Sequence, residues 1–262
     1  MIYLLYVVVI LGATTLGAIA GLGGGVIIKP LLDAVGYHDA TSIGVYSSVA
    51  VFTMCVISLV KQMRSGFAFD RTVALWVSAG SLVGGVLGEQ VFRAVTASLD
   101  NDLVKAVQAG VLALTLALIL LYTLRQDAMP TLHLKSPVAI ACVGLALGAI
   151  SVFLGIGGGP LNVAAFTLFF GLDLKQATVY SLATIFFSQL SKLGLNAASG
   201  VLWSVEASFL PAVVLPAIAG GTLGTRMNRN FSDATVRRTY LAIMVALLLL
   251  SVVNCIRGLG GA

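Results

Sequence analysis

Charge is scarce in this sequence. Of its 262 residues only 10% are charged and 59% are hydrophobic, and the mean hydropathy is +1.05. A soluble domain carries about 25% charge, so the composition excludes one and leaves a polytopic membrane protein with the lipid bilayer as its solvent. The net charge is +5, but the basic residues are scattered over short loops. No basic face with interleaved aromatics exists to bind nucleic acid. The three cysteines, Cys55, Cys142 and Cys255, stand alone in apolar segments, which excludes a CxxC redox or metal motif and fits packing. Both histidines, His38 and His133, fall in loops. An intramembrane hydrolase would need a His or metal cluster at membrane depth; no enzyme, catalytic residue, metal or cofactor is therefore expected. No Gly-x-x-x-x-Gly-Lys-[Ser/Thr] segment occurs, which argues against ATP drive within the chain. No loop has the length of a soluble domain, against a mere anchor for partner proteins. The opening Met-Ile-Tyr-Leu-Leu-Tyr has no basic n-region or cleavage site and reads as a first transmembrane helix rather than a signal peptide.

What the chain has in abundance is glycine, 29 residues, inside long apolar runs. From Ser136 to Gly171 there is no charged residue over 36 positions. As one straight helix that run would measure roughly 54 Å, against a bilayer core of about 30 Å, so it must break. Gly155 to Pro160 is where it can, because glycine weakens a helix and proline removes a donor. Gly21-Leu-Gly-Gly-Gly-Val-Ile-Ile-Lys-Pro30 is a second such knot. Broken backbone at membrane depth is tolerated only in protein or against a wet cavity, so two breaks predict a site between them. Apolar segments fall near 2–21, 22–36, 41–60, 72–92, 104–124, 137–155, 157–171, 176–192, 205–225 and 238–256. Segments 22–36 and 157–171 are too short for a perpendicular full-thickness span and are either short spans or re-entrant arms.

The halves repeat. At an offset of 134, Gly21, Gly23, Gly24 and Gly25 fall on Gly155, Gly157, Gly158 and Gly159; Val45-Tyr46-Ser47 falls on Val179-Tyr180-Ser181, and Ser65-Gly66 on Ser199-Gly200. At an offset of 136, Gly84 to Gly88 falls on Gly220 to Gly224, and Arg93 on Arg229. The spacing predicts a repeat over 1–127, a linker over 128–136 and a second repeat over 137–262. With five segments per half and the N-terminus outside, Lys61, Arg64, Arg71, Arg125, Lys135, Lys175, Arg226, Arg229, Arg237 and Arg238 share one side. Arg93, Lys105, Lys192 and Arg257 take the other, ten against four. Four spans per half would split the loop charges seven to seven. The positive-inside rule favours the first arrangement. The expected fold is thus all-α, with two inverted-topology repeats of about five segments and glycine-broken helices meeting near the midplane. Such an architecture belongs to secondary transporters.

Consecutive glycines at 23–25 can turn their N–H groups to one point, and a half-helix beginning at Val26 or Ile27 would add its positive end. Gly157, Gly158 and Gly159 offer the same, with Pro160 at the start of the next helix. Two such nests suit a small oxyanion; otherwise the glycines serve close helix crossing. Lys29 lies within a short span, where it either balances an anion or pairs with Asp33; Asn162 is a neutral donor in a comparable place. Tyr46, Ser47, Tyr180 and Ser181 either line a polar path or bond neighbouring helices. Gln189 and Lys192 lie one turn apart at the end of their span, where Lys192 reads as a marker of the interface. Glu89 reads as an interfacial carboxylate near Arg93, or a proton carrier.

The paired Gly-[Leu/Ile]-Gly-Gly-Gly motifs, the Gly-Gly-x-Leu-Gly blocks at 84–88 and 220–224 and Ser-Gly at 65–66 and 199–200 resemble the sulfite exporter TauE/SafE family, the TSUP permeases, over essentially the whole chain. The resemblance implies a plasma-membrane permease that exports sulfite, thiosulfate or a small organosulfonate, and the inverted repeats predict alternating access. A channel or carrier for another small anion is the alternative on the same scaffold. Proton coupling and oligomeric state stay open. Where family members often carry Thr-Ser, this chain has Val45-Tyr46 and Val179-Tyr180, which alters the width and chemistry of any path there.

Overall fold

The computed structural model describes residues 2–126 and 131–260, so residues 128–130 of the expected linker lie outside the described residues. The helices are α1 (Ile2–Ala20), α2 (Gly25–Val35), α3 (Ala40–Arg64), α4 (Arg71–Ser98), α5 (Asn101–Arg125), α6 (Pro137–Phe153), α7 (Gly159–Phe170), α8 (Leu174–Ala198), the single turn α9 (Val201–Ser204), α10 (Leu210–Asn230) and α11 (Asp233–Gly260). A 3-10 turn, Ala207–Phe209, leads into α10. Among the described residues six helices are long and apolar enough to cross a membrane: α1, α3, α4, α5, α10 with its preceding turn, and α11; α6 and α7 are shorter and apolar.

Local chemistry sets the helix ends. Asp39 caps α3 by accepting from Ser42 N–H at 2.9 Å. Asp173, 134 positions on, caps α8 by accepting from Gln176 N–H at 2.8 Å, each satisfying an otherwise orphaned donor. α2 and α7 have 11 and 12 residues, about 17 Å of helix, half the thickness of a bilayer core. Gly36 and Gly171 stop them in the left-handed region, at φ 70° and 67°.

Helices pack in exchanged pairs between the halves. α1 lies along α10 and α6 along α4; α3 meets both α8 and α10, and α8 meets both α3 and α4; α5 meets α11. The α4–α6 seam is close because Gly80, Gly84 and Gly88 bring α4 against the carbonyls of Ala141, Leu145 and Ala149, where any Cβ would overlap backbone. Small residues make such approaches in lipid.

One end of the bundle gathers the start of α1, the α2–α3 loop and the start of α5. Tyr6 Oη and His38 Nδ1 lie 2.6 Å apart, and Lys105 Nζ donates to the His38 carbonyl at 3.2 Å. α2 therefore returns to the end where α1 begins, and the pair forms a hairpin whose tip is the first glycine break. The opposite end gathers the starts of α8 and α11, joined by Lys175 and Asp233 at 3.3 Å, and the ends of α3 and α10, joined by Arg229 and Ser65.

Candidate functional site

The two break tips meet in the buried centre. Gly23 and Gly24 have φ of 77° and 75°, Gly157 and Gly158 of 76° and 73°, a conformation that favours residues without Cβ. α2 starts at Gly25 and α7 at Gly159, with Pro160 in the first turn. The tips press together: a Cβ on Gly25 would lie 2.6 Å from the Ile156 carbonyl oxygen, and one on Gly159 would overlap Leu22. Beneath them cross α3 and α8. A Cβ on Gly23 would meet Ile185 Cδ1 at 2.8 Å, and one on Gly157 would meet Val51 Cγ1 at 3.3 Å. The N–H groups of Gly23, Gly24, Gly157 and Gly158 find no acceptor among the described residues, although every one of these glycines is buried.

Each tip is clasped from the other half. Ser47 Oγ on α3 donates to the Gly155 carbonyl at 3.3 Å, and Ser181 Oγ on α8 donates to the Gly21 carbonyl at 2.7 Å. The tyrosines before them reach outward rather than inward. Tyr46 Oη donates to the Glu206 carbonyl at 3.1 Å, and Tyr180 Oη accepts from Asp70 N–H at 2.5 Å. Each tyrosine thus latches a central helix to the loop of the opposite half, in the alternative that bonds neighbours. Aromatic rings surround both: Tyr6, His38 and Phe209 near Tyr46, and Phe67, Phe69 and Phe166 near Tyr180.

Lys29 is 2% exposed, and its Nζ pairs with Asp33 Oδ2 at 3.1 Å. Asn162 is fully buried with neither amide atom hydrogen-bonded. α8 runs on past Gln189 and Lys192 to Ala198, and the two residues are 1% and 2% exposed, enclosed by protein. Both amide atoms of Gln189 lack a partner. Lys192 Nζ lies 4.0 Å from Glu89 Oε2 and 5.5 Å from the Phe92 ring centroid. Glu89 is 2% exposed. Its Oε1 accepts from Arg93 Nε at 3.2 Å, while Arg93 is held by Asn196 at 2.9 Å and Ser199 at 2.7 Å. The signal for α8 was present as a polar stripe at helical spacing, Thr178, Ser181, Ser188, Lys192 and Asn196; pairing with Glu89 could come only from the fold.

A cleft of about 440 Å³ opens at the His38 end, lined by Asp33, His38, Lys105, Asn254 and Arg257 among others. A void of about 10 Å³ shares Asp33 and Asn254 with it and is also lined by Lys29 and Ile156, so polar residues lead from the surface to the second tip. At the other end a cleft of about 300 Å³ is lined by Gln62, Lys175, Asn228, Arg229 and Asp233 among others.

The family model described as sulfite exporter TauE/SafE matches residues 6–251. The chain belongs to this family. It is thereby a membrane transporter, a multi-pass permease in a lipid bilayer. The chain is also similar to the probable membrane transporter protein YunE of Bacillus subtilis (strain 168), 26% identical over 280 residues that cover 97% of each chain. No solved structure matches. In this TauE/SafE permease the paired glycine motifs occupy the two tips, the part of the fold where partnerless donors concentrate.

Proposed function

We propose that this permease is a secondary carrier for a small sulfur-containing anion, sulfite, thiosulfate or an organosulfonate, moved outward across the plasma membrane by alternating access. The observation that carries the reading is the meeting of the two glycine tips, each clasped by a serine of the other half, with unpaired glycine N–H groups and partnerless Asn162 and Gln189 beside them. A buried donor without an acceptor is costly, and a ligand rich in acceptor oxygens removes that cost. Gly23, Gly24, Gly25, Gly157, Gly158 and Gly159 supply the nests. Lys29 and Asn162 supply charge and a further donor, Ser47 and Ser181 fix the tips, and Tyr46 and Tyr180 guard the two mouths. The sulfur chemistry and the outward direction rest on the family's description.

In this reading residues 1–127 and 137–262 are inverted-topology repeats joined at 128–136, with the N-terminus outside. The exchanged packing pairs and the ten-to-four division of basic residues support it, as does the hydrogen-bonding of linker Leu134 to Phe169, at the end of α7. Rocking of one half on the other would open the 440 Å³ and 300 Å³ clefts in turn.

Flux into proteoliposomes of sulfite, thiosulfate and methanesulfonate, with sulfate and chloride as controls and with or without a pH gradient, tests the proposal. Saturable flux with counterflow of one sulfur anion is expected, and the gradient reports proton coupling. Flux without saturation or counterflow would make the protein a channel. A folded protein that moves none of the sulfur anions would end the sulfur assignment.

A further inference from the structure

We propose that Lys192 and Gln189 form the charged half of the anion site and that this site selects a singly charged oxyanion. The inference rests on the anion reading above and goes beyond it, to a position and a charge. Lys192 is buried deep in α8, and an ammonium at such depth marks function by default. Its only ion-pair partner among the described residues is Glu89, at 4.0 Å, beyond hydrogen-bond reach. Glu89 already has a closer partner in Arg93, and its Oε2 accepts no hydrogen bond. Lys29 is matched by Asp33. The group thus holds two buried cations, Lys29 and Lys192, and a third, Arg93, that is 37% exposed at its edge, against two carboxylates, Asp33 and Glu89, an excess of one positive charge once Arg93 is counted as the partner of Glu89.

Geometry puts the two lysines at the second tip. A Cβ on Gly155 would lie 3.3 Å from Lys29 Cε and 3.9 Å from Lys192 Nζ, so both side chains reach this part of the backbone. A Cβ on Gly157 would lie 3.9 Å from Gln189 Nε2, and Gln189 stands one helical turn from Lys192, with both amide atoms unpaired. An anion held there meets the Lys192 ammonium, the Gln189 amide and the N–H groups of the tip. The related place at the first tip lacks all of this: an offset of 134 puts Ser58 opposite Lys192, Cys55 opposite Gln189 and Val163 opposite Lys29. The two nests are alike in backbone, and only one carries charge. A monoanion such as a sulfonate or hydrogensulfite cancels the excess; a dianion leaves a buried negative charge, which is disfavoured.

The test is anion-dependent thermal stabilisation of the full-length protein purified in detergent, since a ligand that binds only the folded state raises its melting temperature. The probes are methanesulfonate, a monoanion, and sulfate and thiosulfate, dianions. Wild type should respond to methanesulfonate and not to sulfate, and Lys192→Gln should lose the response. Glu89→Gln raises the excess to two positive charges and should shift preference toward the dianions by roughly tenfold or more. A structural role for Glu89 would not reverse selectivity. If Lys192→Gln does not fold, Lys192→Gln/Glu89→Gln keeps the original net charge and should fold without binding methanesulfonate. Stabilisation retained in that double variant overturns the Lys192 assignment alone. Equal response of wild type to methanesulfonate and sulfate overturns the charge selection. A wild type that responds to no anion overturns the anion reading beneath both.

Discussion

Lys29 and Asp33 sit one helical turn apart on α2, 3.1 Å from each other and almost wholly buried. Removing one member of a buried pair strands the other and costs about 3–5 kcal/mol, so Lys29→Ala alone confuses folding with binding. Lys29→Ala/Asp33→Asn removes both charges and should recover most of the melting temperature lost by the single variant. If Lys29 also holds the anion, the double variant will be stable and still have weakened anion affinity; unchanged affinity assigns Lys29 to structure only. His38 gives a second prediction. Burial pushes its imidazole below the ordinary value near 6.5, outweighing the opposite pull of Glu206 and Asp39, while Tyr6, Tyr46 and Lys105 also face it. The folded state therefore prefers neutral His38 and binds fewer protons than the unfolded chain just below that value. Stability should fall as pH drops below about 6.5, and His38→Phe should flatten that part of a melting-temperature profile. Of the residues discussed, Lys29 and Asn162 could be singled out in the sequence because they stand beside the glycine knots, and Ser47 and Ser181 because they recur at the offset of 134. Lys192 and Glu89 could be noticed singly but not paired, since 103 positions separate them and only the packing of α4 on α8 brings them together.

At the scale of the helix, the breaks were legible because a charge-free run longer than a bilayer has to end somewhere, and glycine with proline marks the place. The hairpin form was not. Loop charge separates five segments per half from four, but segments of 11 and 12 residues give the same charge sides whether they cross after a full-length α1 or α6 or pair with it as the second arm of a hairpin, so it carries no signal that separates those two. The tip conformation can be tested with three alanines. Gly24→Ala, Gly158→Ala and Gly36→Ala all place a side chain at positive φ, at about 1–2 kcal/mol each. Gly36 has open space around its missing Cβ, whereas a Cβ on Gly24 would lie 3.1 Å from the Ala13 carbonyl and one on Gly158 would overlap Ser151. Gly36→Ala should lower the melting temperature slightly and leave flux intact. Gly24→Ala and Gly158→Ala should lower both, Gly158→Ala the more. Equal flux in all three variants would remove the tips from the transport path.

For the whole molecule, the composition calls for a lipid solvent and the charge pattern predicts an orientation, because lysine and arginine in short loops are retained on the cytoplasmic side. Contacts now tie those loops into groups: Lys175 with Asp233, Arg229 with Ser65, and Arg237 with the Thr123 carbonyl share one end, while Lys105 with His38 and Arg93 with Ser199 share the other. Orientation of the bundle in the cell is then a single choice between two ends. Asp233 reports it well, being exposed at the start of α11 in the more basic group. In a background lacking Cys55, Cys142 and Cys255, a cysteine at 233 should resist a membrane-impermeant thiol reagent in intact cells and react after the membrane is opened. A cysteine replacing Asp102, on the exposed first turn of α5, should react in intact cells. Both labelled from outside would break the expected topology, and the reverse pattern would turn the whole bundle over while leaving the helix packing as it stands.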